Sequence, residues 1–438
     1  KGNTTIRRDA YDIYPKPSFN YATQSRIPPG STFKPITAIA GLETGVITPD
    51  YTMYDDATFD KGGGHIYHFD LDGPNGWVNL TKAIEKSSNP YFMTVGKFLR
   101  NAFGDDILAK YAWKFGLGVP PNSNVKPSTG IEIPEAFGQV YNSVSAKNDY
   151  AQSYLWQIMS MLKNGQSDRG DKFTPIDLYD NDKDSSKVKE IKNNFKKSIK
   201  DSIKEGSFNK DNYSKLLKDL IEADPKYSGS NISQKEIDTI INSIYYVAIS
   251  DANSQLKAGF HIYDASIGQG MDQFTPLQMA NYVATLANGG TRYKLHLVDK
   301  FLDANGKAIE EVKPEVIEKT GVKPENLEAV KAGMTAVNEK GTAAGAFKDF
   351  PIKTAGKTGT ASLTNPESIG RTDFAEYVGY APIDNPKIAV YVVIFDGGQG
   401  ATAATIARDM YTAYFHVNSQ NNTQNNDQNQ STQNNNGQ

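Results

Sequence analysis

Ser31 and Lys34 stand three residues apart in the run "PPGSTFKPITAIAGLETG". On a helix that spacing puts both side chains on one face. A serine hydroxyl is a weak nucleophile until a neighbouring base takes its proton. A lysine serves as that base when burial disfavours its charged form. The chemistry on offer is therefore acyl transfer through a serine ester. Ser87 and Asn89 form a second group, in "KSSNPYF". A hydroxyl and an amide one residue apart can relay a proton and hold a substrate amide, although Ser and Asn serve equally well as helix caps. Lys357, Thr358, Gly359 and Thr360 form a third group, in "AGKTGTA". The lysine and threonines offer donors to a carboxylate, and Gly359 leaves room for a substrate backbone to approach a strand edge. Each group alone also reads as ordinary surface, cap or turn. It is the three groups together, in this order, that point to acyl transfer on a serine.

These groups need elements to position them. Phe33, Ile36, Ile39 and Leu42 recur at helix spacing. Gly45 is a natural stop, and Pro35 falls in the first turn, where its missing N–H costs little. Ser31 is thus expected at the N-terminus of a buried helix, whose positive dipole end favours a developing oxyanion. Residues 51–78 read as Gly- and Asp-rich loop with short strands. "LTKAIEKSSNPYFMTVGKFL" reads as helix interrupted near Pro90. "TPLQMANYVATLANGG" and "ENLEAVKAGMTAVN" are amphipathic helices. "AEYVGYAP" and "KIAVYVVIF" flank the turn "IDNP" as two antiparallel strands.

Two segments depart from globular composition. Residues 166–255 are rich in Lys, Asp, Asn and Ser. They carry one apolar stripe through Val188, Ile191, Phe195, Ile199 and Ile203 and another through Ile237, Ile240, Ile241 and Ile244. This is a solvated helical insertion, either a partner-binding lobe or a tolerated surface excursion. Residues 417–438 are nearly all Asn, Gln, Ser and Thr and are expected to be a disordered tail. These two segments account for much of the low hydrophobic content, 38% of 438 residues. The formal net charge of −3 argues against a nucleic-acid partner. The absence of cysteine excludes disulfides, thiol catalysis and thiolate metal sites. The chain starts at Lys1 without a signal peptide or a membrane-spanning run, and reads as a piece of a longer protein.

The stretches "PPGSTFKPITAIAGLETGVITPD", "SIGQGMDQFTPLQMANYVATLANGGTRY" and "AGKTGTA" through "VGYAPIDNPKIAVYVVI" resemble the transpeptidase domain of class B penicillin-binding proteins, especially the elongation-type PBP2 group. The resemblance covers most of 18–165 and 257–415. It implies an α/β (α+β) fold of the penicillin-binding protein and β-lactamase type, an antiparallel sheet flanked by helices with an all-helical subdomain. Residues 1–416 would then be the transpeptidase domain. The resemblance further implies that Ser31 is acylated, Lys34 is its base and Ser87 passes the proton to the leaving amine beside Lys357. Asn89 would hold the peptide or β-lactam amide, and Lys357, Thr358 and Thr360 the terminal carboxylate. The backbone N–H groups of Ser31 and Thr360 would form the oxyanion hole. No cofactor is implied for the reaction. The implied partners are peptidoglycan stem peptides, β-lactams and other wall-synthesis proteins such as a glycosyltransferase. The implied location is the extracytoplasmic face of the bacterial cytoplasmic membrane, and the family usually places sheet strands and a pedestal domain ahead of the nucleophile, where thirty residues precede Ser31 here. A class D-like β-lactamase, a β-lactam sensor domain and an inactive scaffold share parts of the pattern.

Some PBP2-type proteins hold a structural zinc between the first two groups, through aspartates, a histidine and a cysteine. Asp55 and Asp70 match the aspartates, while Asn75 and Ser88 stand at the other two places. His65 and His68 in "GGGHIYHFD" supply imidazoles in the same segment. A zinc site from Asp55, His65, His68 and Asp70 is therefore a further expectation.

Overall fold

The computed structural model describes residues 18–417 except 63, 70–72, 122, 124–128, 259 and 363–371. The chain divides into two compact units, Lys1–Tyr141 with Gly259–Gln438, and Asn142–Ala258.

The first unit is built on an antiparallel sheet of three strands: β1 (Ala355–Ala361), β2 (Phe374–Ala381) and β3 (Ile388–Ile394), with β2 in the middle. Every residue of β2 is buried. Successive side chains of a strand face opposite sides, so β2 needs cover on both faces. On one face Tyr377 packs near Phe347 and Tyr411 and accepts a hydrogen bond from Asn338 Nδ2 at 2.8 Å. On the other, Glu376 lies opposite Gly359 of β1. Tyr411 belongs to the helix Ala401–Phe415, which buries Ala403, Ala404, Ala407 and Tyr411. This helix follows β3, in an end of the chain that reads as β-rich from sequence.

Gly30–Phe33 forms a 3-10 turn and α1 (Lys34–Thr44) continues from it. Ser31 therefore sits in a tight turn just ahead of the α-helix, not on its first turn. Pro35 does open α1, and Gly45 closes it in the left-handed region at φ 74°. Lys34 through Leu42 are all buried, as expected of a helix apolar on every side.

Helices α2 (Leu80–Lys86) and α3 (Asn89–Phe103) are separate. The break lies at Ser87 and Ser88, near Pro90 as expected. Pro90 falls in the first turn of α3, where it is tolerated. The Ser88 hydroxyl caps α3 by accepting from Tyr91 N at 3.2 Å. The 51–78 region holds two short antiparallel pairs, Met53–Asp55 with Gly76–Val78 and Thr58–Asp60 with Ile66–His68. The other two expected helices are present as Pro276–Ala287 and Pro324–Glu339.

The second unit is helical: Ser143–Asn164, Ser186–Glu205, Lys210–Ala223 and Gln234–Tyr245, the last continuing through a π-helical turn into Ala252–Lys257. Both stripes read from sequence face its core. The unit begins at Asn142, earlier than the expected 166. Ala151, Leu155, Ile158 and Leu162 of its first helix complete the same apolar cluster as Val188, Phe195 and Ile240. That helix reads as mostly polar in sequence because only one side of it is buried. Beyond Val417 the Asn/Gln-rich tail lies outside the described residues.

Candidate active site

The turn carrying Ser31 is held from several sides. Gly30 adopts φ 48°, and a Cβ there would lie 2.6 Å from the Thr360 carbonyl oxygen, so only glycine lets the turn press against β1. Gly30 N donates to Gly268 O at 3.0 Å. The Tyr282 hydroxyl donates to Thr32 O at 2.5 Å, and Thr32 Oγ1 donates to Pro29 O at 2.5 Å. These contacts fix the backbone on both sides of the half-exposed Ser31.

Lys34 is fully buried. Its Nζ donates to Ser87 O at 2.5 Å, Ser87 Oγ at 3.1 Å and Asn89 Oδ1 at 2.7 Å. Lys357 is also fully buried, and its Nζ donates to Ser87 Oγ at 2.8 Å and Thr358 O at 2.9 Å. The Ser87 hydroxyl therefore lies between two amines, one from α1 and one from β1. With its lone pairs turned to two donors, its own proton is directed to a third partner. Ser87 reaches this place because it is left-handed, at φ 61°, in the break between α2 and α3. Four of the expected site residues, Lys34, Ser87, Asn89 and Lys357, are thus joined by hydrogen bonds.

The rest of the third group lies along β1 beside Lys357. The Thr358 hydroxyl is buried and shares a 2.5 Å hydrogen bond with Thr342 Oγ1. Thr360 is exposed, and its carbonyl accepts from Gln269 Nε2 at 3.4 Å. A Cβ on Gly359 would meet Thr32 Cγ2 at 2.8 Å and Glu376 Oε2 at 3.0 Å. The close approach that this glycine permits is therefore internal, between β1, β2 and the Ser31 turn. Glu376 itself is fully buried. The Tyr391 and Thr32 hydroxyls are near it, but neither carboxyl oxygen has a partner in full hydrogen-bond geometry. Burial pushes its pKa well above the usual carboxylate range. Sequence reasoning passed over Glu376; its signal was a lone acid inside the apolar run "FAEYVGYA".

Among the described residues, the expected zinc ligands Asp55, His65 and His68 form no metal site. Asp55 is fully buried and committed to hydrogen bonds: Oδ1 accepts from Ala57 N at 2.9 Å, and Oδ2 from Asn75 Nδ2 at 2.8 Å and Ser88 Oγ at 2.5 Å. His65 and His68 are exposed on the second hairpin, where His68 pairs with Thr58. Asp70 lies outside the described residues. Among the described residues no three His, Cys, Asp or Glu side chains are placed to share a metal. Nor is any described helix long and apolar enough to cross a membrane.

A family model for the penicillin binding protein transpeptidase domain matches residues 3–412. The chain is 40% identical over 177 residues to penicillin-binding protein 2A of Bacillus subtilis, covering 37% of this chain and 24% of that protein. It is 26% identical over 423 residues to the peptidoglycan D,D-transpeptidase MrdA of Haemophilus influenzae, covering 92% of this chain and 46% of that protein. The chain thus spans less than half the length of these two curated relatives. Among solved structures, penicillin-binding protein A of Mycobacterium tuberculosis in a ceftriaxone acyl-enzyme complex superposes with TM-score 0.54 at 20% identity, over 89% of this chain and 61% of that one. Pseudomonas aeruginosa PBP2 in complex with WCK 5153 gives TM-score 0.52 at 22% identity, over 90% and 62%. At such identities the likeness establishes the fold.

Proposed function

The chain belongs to the penicillin-binding protein transpeptidase family, on its class B, PBP2-like side, and from that premise we propose that it is a serine D,D-transpeptidase that cross-links peptidoglycan stem peptides and is acylated by β-lactams at Ser31. The observation that carries this reading is the Ser87 hydroxyl held between the buried amines of Lys34 and Lys357, beside the Ser31 turn.

In the first step Ser31 Oγ attacks the carbonyl carbon between the two terminal D-alanines, while Lys34 takes the hydroxyl proton. The backbone N–H groups of Ser31 and Thr360 receive the oxyanion, an interaction worth about 10²–10³ in rate in comparable enzymes. The C–N bond breaks, the proton passes through Ser87 to the leaving nitrogen, and D-alanine departs. In the second step an amine of a neighbouring stem attacks the ester, a new amide forms and Ser31 recovers its proton. Asn89 holds the peptide amide. Lys357, Thr358 and Thr360 face the terminal carboxylate, with Thr358 acting from beside Thr342. A β-lactam follows the first step but has no leaving group that diffuses away. The extracytoplasmic face of a bacterial membrane is the location this chemistry requires. A glycosyltransferase is the partner that supplies uncross-linked strands.

The test is intact-protein mass spectrometry after brief exposure to benzylpenicillin, beside a D-alanine release assay. The expected outcome is a long-lived adduct of one penicillin, absent in Ser31→Ala, with D-alanine released from a pentapeptide stem. Rapid loss of penicillin without an adduct would mean a β-lactamase. An adduct without D-alanine release would mean a sensor.

A further inference from the structure

The relay hydroxyl of Ser87 is carried by a conformation that a residue with a Cβ adopts only under constraint. Ser87 lies at φ 61°, in the left-handed region that favours glycine. Such strained residues persist where surrounding structure over-determines them. What holds Ser87 lies on the far side of the same turn. Ser87 and Asn89 face Lys34, whereas the residue between them, Ser88, is fully buried and turns to Asp55. Its hydroxyl donates to Asp55 Oδ2 at 2.5 Å, in the range of a short charge-assisted bond. The same hydroxyl accepts from Tyr91 N and so starts α3. Asp55 is itself fixed. Asn75 Nδ2 donates to Oδ2, and Ala57, also left-handed at φ 63°, donates its N–H to Oδ1.

We propose that Asp55 is a positioning residue for the acylation of Ser31, acting through Ser88 to lock the Ser87–Asn89 turn. The proposal rests on the enzymatic reading above. Asp55 acts through its hydrogen bond to Ser88, while Asn75 and Ala57 hold its carboxylate. Its effect is to place three acceptors of Lys34, Ser87 O, Ser87 Oγ and Asn89 Oδ1, and to hold Ser87 Oγ where it accepts from Lys357 Nζ. If Asp55 loses its grip on Ser88, Ser87 can relax out of the left-handed region. Its hydroxyl then leaves the line between the two amines. Asn75 is the second clamp on the same oxygen and orients the carboxylate toward Ser88.

The test compares benzylpenicillin acylation of the wild type, Asp55→Ala, Asp55→Asn, Ser88→Ala and the Asp55→Ala/Ser88→Ala pair. Acylation is resolved into the noncovalent binding constant and the acylation rate constant, over a range of pH, with thermal unfolding measured beside it. A small misplacement of reacting groups costs on the order of 10²-fold, so Asp55→Ala and Ser88→Ala should each lose about 10–100-fold in the rate constant. The pair should lose no more than the worse single variant, because both changes break one link. Asp55→Asn keeps an acceptor for Ser88 and should recover part of the loss. The pH–rate profile of Asp55→Ala should shift, because the acceptors around Lys34 move. A role in stability alone would lower the melting temperature and leave rate constant and profile unchanged at temperatures where the variants are folded; that result overturns the proposal. Additive losses in the pair overturn it too. Should Asp55→Ala fail to fold, Ser88→Ala, which removes only a hydroxyl, decides the matter by the same readouts. A wild type that takes up no penicillin removes the enzymatic reading instead, and the proposal with it.

Discussion

Glu376 is the residue on which pH should act most visibly. It is an acid with no exposed surface, opposite Gly359 in β2 and beside Thr32 of the Ser31 turn. Burial holds its pKa well above the usual range, so the folded chain binds this proton more tightly than the unfolded chain does. Between the unfolded value and the raised one, folded protein carries more protons, and stability falls as pH rises. The contribution is complete below the ordinary carboxylate range and is lost as pH climbs through the raised value. One proton sets a slope of at most about 1.4 kcal/mol per pH unit. Glu376→Gln keeps the shape and removes the proton. Thermal unfolding from mildly acidic to alkaline pH should therefore show a flatter profile in the variant, with its melting temperature rising relative to wild type as pH rises. Parallel profiles would mean that the carboxyl is ionised and compensated in the fold. Lys34, Ser87, Asn89 and Lys357, which hydrogen bonds bring together, were legible in the sequence because they come in short motifs. Glu376 belongs to no such motif and Asp55 reads from sequence as a zinc candidate, because their surroundings depend on pairings across strands and turns. Asp55 meets Ser88 from thirty-three positions away.

At the scale of elements, the site depends on how closely β1 meets the turn before α1. Gly359 sits where a Cβ would strike Thr32 Cγ2 at 2.8 Å and Glu376 Oε2 at 3.0 Å. Gly359→Ala should push the Ser31 turn off the strand and slow acylation by about tenfold or more, since reacting groups tolerate little displacement. Thr32→Ser removes the methyl group in the way but keeps the hydroxyl that bonds Pro29 O. The pair Gly359→Ala/Thr32→Ser should recover part of the acylation rate, measured with benzylpenicillin under the same conditions. No recovery would place the damage at Glu376 instead. The helices were largely legible from period and punctuation: α1 ends at Gly45 as its sequence indicates, and Pro276–Ala287 opens on the capping box of Thr275 and Gln278. The break between α2 and α3 falls near Pro90, as expected, two to three residues ahead of it. Pro90 is the conspicuous residue, but the helix yields at Ser87, where the backbone turns left-handed to meet two lysines.

For the whole molecule, the two compact units answer to different parts of the sequence. The motifs fall in the first unit, and the second is recognisable only by its apolar stripes. Ser143–Asn164 carries few charges and lies within 18–165, the stretch that resembles the family, so only the shared core assigns it to the second unit. That core is made entirely of residues from 151 to 252, so its stability should be separable from the chemistry of Ser31. Phe195 is the sharpest probe. It is fully buried and packs edge-on against Tyr213 at a ring separation of 5.7 Å. Phe195→Ala leaves a cavity in a close-packed core, a change that costs about 3–5 kcal/mol. Hydrogen exchange should then show faster exchange through Ser186–Glu205 and Lys210–Ala223, while exchange in β1 and β2 stays as in the wild type. Penicillin acylation of Ser31 should be unchanged at temperatures where the first unit is folded. A parallel loss of acylation would mean that the stability of the two units is not separable.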